Sequence, residues 1–155
     1  MNLAKHFELR LSYKYYDVTT DYAGGELPQP LLAKDRMFAN LSYQTHLLND
    51  KGSRWKFDAT WNWNGKKRLP NTVSNPLQYQ LPKYSNPYSL LNAQVTKVST
   101  EQFEVYFGGE NLLSYKQKDP ILAADDPFGP YFDSTILYAP IQGARVYAGI
   151  RLKIK

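Results

Sequence analysis

The chain has 155 residues, a net charge of +5, no cysteine and an aromatic share of 15%. The length fits one ordinary domain. The missing thiols exclude a disulfide scaffold, a thiolate metal site and a cysteine nucleophile, and two histidines leave little for a histidine metal site or a catalytic triad.

No stretch approaches the length of a transmembrane helix, and Met1 to Arg10 has no apolar core of signal-peptide length, so neither segment is expected. Mean hydropathy is negative, at -0.55, despite the aromatic share. Aromatic-rich but polar on average is what alternating strands produce.

Six runs alternate with period two. The first sets Phe7, Leu9, Leu11, Tyr13 and Tyr15 against Glu8, Arg10, Ser12, Lys14 and Tyr16. The second sets Ala39, Leu41, Tyr43, Thr45 and Leu47 against Asn40, Ser42, Gln44 and His46. The third has Trp55, Phe57, Ala59, Trp61 and Trp63 on one face, with Arg54, Lys56, Asp58, Thr60, Asn62 and Asn64 on the other. The fourth opposes Leu91, Ala93 and Val95 to Asn92, Gln94 and Thr96, and the fifth opposes Phe103, Val105 and Phe107 to Gln102, Glu104 and Tyr106. The sixth sets Val146, Ala148, Ile150, Leu152 and Ile154 against Arg145, Tyr147, Gly149, Arg151 and Lys153. Each run predicts a strand with two chemically distinct faces.

The connections alternate in length. Short turns are expected at 49–53 and 99–101, and long loops at about 20–34, 65–87 and 116–140. All ten prolines fall in the long segments, counting their edges, and none in a run. This order predicts an up-and-down antiparallel sheet with tight turns at one end and large loops at the other.

Period two fits two environments: a soluble barrel or sandwich with its apolar face inside, or a membrane barrel with that face toward lipid. Three details favour lipid. Aromatics gather near both strand ends: Phe7, Trp55, Phe57 and Phe103 toward the short turns, and Tyr13, Tyr15, Trp61 and Trp63 toward the long loops. The apolar faces carry one charge, Lys97, beside a short turn, and the polar faces mix both signs. Six strands cannot close such a barrel, so the chain is expected to be part of a larger one.

The second half carries a resemblance. Phe103 to Gln117, reading FEVYFGGENLLSYKQ, followed by Asp119-Pro120-Ile121, resembles the penultimate strand and following loop of TonB-dependent outer-membrane receptors, particularly those of Bacteroidetes-type bacteria. Gly108, Glu110, Asn111, Leu112, Tyr115, Gln117, Pro120 and Ile121 match that pattern. Tyr88 to Lys97 resembles the family's Y-x-x-L-N-A-Q-I-T-K strand, and Pro140 to Lys155 its last strand, although the chain ends Leu152-Lys153-Ile154-Lys155 where the family often ends in an aromatic. Residues 83–155 carry the motifs; residues 1–82 match in strand-and-loop style alone.

The resemblance implies an all-β chain forming about six C-terminal strands of a 22-stranded transmembrane barrel in the outer membrane of a Gram-negative bacterium. Its short turns would lie on the periplasmic side, and the plug domain and signal peptide would be absent. It implies a receptor fragment serving energised uptake of a scarce solute such as a siderophore or metal chelate, with no catalytic residues, cofactor or metal. Its partners would be the plug and remaining strands, outer-membrane lipid, the barrel-assembly machinery and, through the plug, the TonB–ExbB–ExbD energy-transducing complex. The alternative is a soluble β-barrel or sandwich acting as a ligand-binding module.

Single features read modestly. Basic residues are scattered apart from Lys66-Lys67-Arg68, which argues against a nucleic-acid partner. That cluster is a candidate ligand or lipopolysaccharide contact, against a solvated-loop reading. Gly108-Gly109 reads as close strand packing rather than a phosphate loop, and Glu110-Asn111 as a strand end bonding loop backbone. Asp125-Asp126 lacks calcium-loop spacing. His6 and His46 show no partner. Glu8, Asp58 and Glu104 read as members of an ion-pair lattice rather than a general-acid pair.

Overall fold

A computed structural model describes residues 2–4 (backbone alone), 6–48 and 52–154. The alternating runs become a seven-stranded antiparallel wall. Its strands are β1 (Asn2–Ala4), β2 (Phe7–Tyr15), β5 (Asp35–Gln44), β6 (Arg54–Asn64), β7 (Tyr88–Thr100), β8 (Phe103–Glu110) and β9 (Arg145–Leu152). They lie side by side in chain order, as an up-and-down sheet requires. The fold is therefore all-β and antiparallel.

Period two puts like side chains in one row once the register is fixed. Leu9 pairs with Leu41, Leu41 with Ala59, Ala59 with Ala93, Ala93 with Gly109 and Gly109 with Val146. One residue over, Glu8, Ser42, Asp58, Gln94, Gly108 and Tyr147 form the matching polar row. These rows keep their character across six strands, although the polar face also carries Phe38, Leu90 and the buried Val98.

The two faces differ in exposure, and the sense is the reverse of a soluble core. On the apolar face Leu11 is 70% exposed, Phe107 61% and Ile150 64%. On the polar face Thr96 and Glu104 are each 4% exposed. Wall strands contact their sheet neighbours and no second sheet layer lies on the apolar face among the described residues. Among the described residues, β2 is open along its outer edge beyond its short pairing with β1, and β9 is open along its whole outer edge.

At the short-turn end of the apolar face, aromatics stack across β2, β5 and β6 and along β6. Phe7 lies 4.4 Å from Tyr43, Tyr43 6.0 Å from Phe57, and Phe57 6.4 Å from Trp55. Among the described residues that face carries two charges rather than the one expected: Asp35, at the loop end of β5, accepts from the Tyr13 hydroxyl, and Lys97 sits 4.9 Å over the Trp55 ring, so its ammonium meets a π-face. Where β8 meets β9, tyrosine faces glycine in both directions: Tyr106 opposite Gly149 and Tyr147 opposite Gly108. A Cβ on Gly108 would come within 2.5 Å of the Tyr147 ring, so this is the close strand packing expected of Gly108-Gly109.

Several expectations need correction. The first long connection contains a hairpin, β3 (Thr19–Tyr22) with β4 (Gly25–Pro28), and Pro28 ends a strand. A two-stranded ribbon has two edges, so a proline at its end removes no needed ladder bond. Gly25, at φ 110°, supplies the backbone shape of the hairpin turn. A 3-10 turn, Leu77–Tyr79, lies in the second connection. β5 starts earlier than its run and ends at Gln44, so Thr45 to Leu47 lie beyond it. β7 runs to Thr100, and its turn moves to Glu101-Gln102, where the Thr100 hydroxyl accepts from the backbone N–H groups of Gln102 and Phe103. Residues 49–51 of the other short turn lie outside the described residues.

Candidate functional site

The molecule's buried apolar residues lie mostly in the long connections. Ala33, Leu69, Ala123 and Ile136 belong to connections 16–34, 65–87 and 111–144, with Tyr88 and Val98 from the wall. These connections interlock at one end of the sheet. The Leu31 N–H donates to the Arg68 carbonyl at 2.8 Å, and bridges join Ala33 to Lys67 and Arg68 to Tyr84.

Lys67 and Arg68 are the hub, each 8% exposed. The Arg68 guanidinium donates to the Pro28 carbonyl and, at 2.9 Å, to the Tyr22 hydroxyl, over whose ring it lies at 5.3 Å. The Lys67 ammonium donates to the Tyr138 carbonyl and to the Tyr88 hydroxyl. Burial pushes the Lys67 pKa down, and the nearby Arg36 charge pushes the same way. The solvated-loop reading of the basic cluster therefore fails for these two residues: they bolt the first and third connections to the second. Lys66 stays at the surface, 4.9 Å over the Tyr84 ring.

The third connection is organised by two amides. Asn111, at φ 49°, donates to the carbonyls of Tyr115 and Gln142 and accepts from the Tyr115 N–H. This is the strand-ending, backbone-bonding role read for Glu110-Asn111; Glu110 itself pairs with Arg145 at 2.7 Å. Gln117 donates to the Ile136 carbonyl and accepts from the N–H groups of Tyr138 and Ala139. The rings of Tyr88 and Tyr115 stack at 4.8 Å, tying this connection to β7. Burial raises the Tyr138 pKa.

Asp125 accepts from the Tyr79 hydroxyl at 2.7 Å, and that bond raises the Tyr79 pKa. Asp126 closes a turn with Gly129. Among the described residues no group of three or more His, Asp or Glu could hold a metal.

The polar face carries the carboxylates. Glu8 pairs with Arg10 at 2.7 Å, Asp58 accepts from the Ser42 hydroxyl at 2.6 Å, and Glu104 takes Arg151 at 2.7 Å and Lys56 at 3.5 Å. They lie on three different strands, and Glu8 and Glu104 fit the ion-pair reading, whereas Asp58 is held by a hydroxyl instead of a cation. His6 and His46 do have a partner, each other, with ring centroids 3.8 Å apart. The antiparallel pairing that carries the Gln44 N–H to the His6 carbonyl sets them side by side, a cross-strand fact invisible in the linear sequence.

Sequence reasoning passed over a cavity of about 370 Å³ on the polar face at the loop end, lined by Lys14, Tyr16, Arg36, Asn62 and Asn64 among others. Its residues are spread over β2 and Tyr16 just beyond it, β5 and β6, and the only signal was the parity that all but Met37 and Trp63 share. No family model matches the chain, and comparison with curated proteins and with solved structures finds no significant similarity.

Proposed function

We propose that this chain is the C-terminal part of a 22-stranded TonB-dependent outer-membrane receptor barrel, and that the whole barrel takes up a scarce solute such as a siderophore or metal chelate. The observation that carries this is the exposed apolar face, continuous over six strands, opposite a partly buried polar one. Such a surface is stable against hydrocarbon and costly against water. The aromatic row with Lys97 suits the interfacial depth of a bilayer. The open edges suit continuation into further strands, because lipid does not tolerate unpaired ladders.

On this reading the outer surface meets outer-membrane lipid and the edges meet the remaining strands. The plug on the polar side couples to the TonB–ExbB–ExbD complex, and the barrel-assembly machinery inserts the chain. The interlocked connections form part of an extracellular face, and the chain has no catalytic role. The rival soluble module would need an apolar interior, and the apolar face here has no layer to cover it.

The test is the medium in which the chain folds. Unfolded chain diluted into phospholipid vesicles or zwitterionic detergent is expected to gain strand signal and protease protection as copies pair their open edges, and diluted into plain buffer to associate and precipitate. A monomeric, cooperatively unfolding species in plain buffer overturns the reading.

A further inference from the structure

Lys14 and Arg36 are direct partners in the β2–β5 register, both on the polar face. Like charges placed opposite each other across strands destabilise a sheet unless something neutralises them. Elsewhere on this face Arg10, Lys56, Arg145 and Arg151 each have a carboxylate within reach, and Arg54, which has none, donates to the Gly52 carbonyl and has no cation opposite it, its partner being Val98. Lys14 and Arg36 have no carboxylate among the described residues, and the cavity between them has no acidic side chain in its lining. The Arg36 Nε is buried with no hydrogen-bond partner. Its guanidinium lies 5.3 Å over the Tyr16 ring, which fixes its plane. Ser12, Asn62 and Asn64 add neutral donors around the same space.

We propose that this cavity binds an oxyanion of a small solute, a carboxylate or phosphate held between Lys14 and Arg36 and bordered by Tyr16, Asn62 and Asn64. Its volume of about 370 Å³ suits a small molecule. A guanidinium and an ammonium across one gap are the donors that carboxylates and phosphates take up most strongly. The rest of the lining sets Ser12, Asn62 and Asn64 beside Met37, Phe38 and Trp63, which suits a small solute with an apolar part more than an acidic protein segment. The proposal gives the uptake reading an anionic solute class. It rests on that reading for access from outside the cell, and not for the chemistry of the site.

The test is titration calorimetry of the full chain, folded in zwitterionic detergent, with inorganic phosphate and separately with citrate. Saturable binding that weakens with salt is expected for at least one of them, and which one binds separates the phosphate from the carboxylate source. Arg36→Gln and Lys14→Gln are each expected to weaken binding about tenfold, the size of one lost charge-assisted bond. Arg145→Gln, on the same face but already paired, should leave it within about twofold. Without anion, Lys14→Gln is expected to raise the unfolding midpoint by removing the repulsion, a change a purely structural lysine would not give. Lys14 is exposed, so this variant keeps the test open if Arg36→Gln fails to fold. No saturable heat with either anion overturns the proposal, as does equal weakening by Arg145→Gln. A polyglutamate peptide that binds through Arg36 where both anions fail would put a protein segment in place of the solute and likewise overturn it. A chain that folds in plain buffer yet binds phosphate through Arg36 loses the barrel reading and keeps this site. A chain that needs detergent and binds neither anion loses this site alone.

Discussion

The wall and the loop assembly are stabilised in opposite ways. In the wall, apolar side chains point away from the chain's own mass, so ladder hydrogen bonds and the surrounding medium hold it. In the loop assembly, Ala33, Leu69, Ala123 and Ile136 are buried by the chain itself, and Lys67, Arg68, Asn111 and Gln117 spend their polar atoms on loop carbonyls and N–H groups. The wall therefore depends on what lies outside it, and the loops depend on one another. A substitution tests this contrast when its effect changes with the medium in one region and not in the other.

The largest expected effect is a charge on the apolar face. Leu41 sits mid-strand in the apolar row, 44% exposed. In vesicles Leu41→Arg should destabilise the folded wall by about 2–4 kcal/mol, the cost of arginine at the bilayer midplane. Gln44→Glu on the polar face, opposite Lys56, should change stability by less than about 0.5 kcal/mol. Denaturant titration in vesicles measures both, and equal costs would erase the distinction between the faces.

In the loops, Gln117→Ala removes one donor and one acceptor that serve three backbone groups, at a side chain 6% exposed. Leaving those groups unpaired should cost about 2–3 kcal/mol. The loss should appear as faster hydrogen exchange at the Tyr138 and Ala139 amides, with wall amides unchanged. Exchange that speeds up across β8 and β9 as well would show the two regions to be one cooperative unit.

A smaller effect belongs to the polar face. Glu104→Gln breaks the pairs with Arg151 and Lys56. Removing one partner of a fully buried pair costs far more than removing one whose partners can rehydrate. The Arg151 side chain is 57% exposed and that of Lys56 32%, so about 1–2 kcal/mol is expected rather than the buried-pair figure. Denaturant titration of this variant with Arg151→Gln and the double variant isolates the pair energy.

The wall strands were legible because two faces of unlike chemistry write themselves into period two, as Arg54 to Asn64 does without a break. Their order followed from the alternation of short and long connections. The β3–β4 hairpin was not legible, because Thr19-Thr20-Asp21-Tyr22 has no apolar alternation to betray it. Nor was the loop core: the contact of Lys67 with Tyr138 spans 71 residues, and nothing local marks a lysine that is buried. The Lys14–Arg36 pairing and the His6–His46 contact had the same origin, since each depends on the register between two strands rather than on either strand alone.

The smallest expected effect is a pH dependence confined to the loops. Burial holds the Lys67 pKa below its ordinary 10.5, so in the range just under that value the unfolded loops bind more protons than the folded ones. Loop stability should therefore rise with pH there. Tyr138 acts oppositely: its pKa lies above the ordinary 10.0, so its neutral form favours the fold and stability falls once pH passes 10.0. Tyr79, held above 10.0 by its bond to Asp125, acts with Tyr138, so the lysine contribution is read well below 10.0, where both phenols are neutral in either state. Amide exchange in connection 65–87, corrected for its intrinsic rate, should slow as pH approaches 10.0 from below, and Lys67→Gln should flatten that trend while wall amides show none. A rise of the same slope in Lys67→Gln would mean that the ammonium is hydrated, and that its contacts with Tyr138 and Tyr88 are not what joins the second connection to the third.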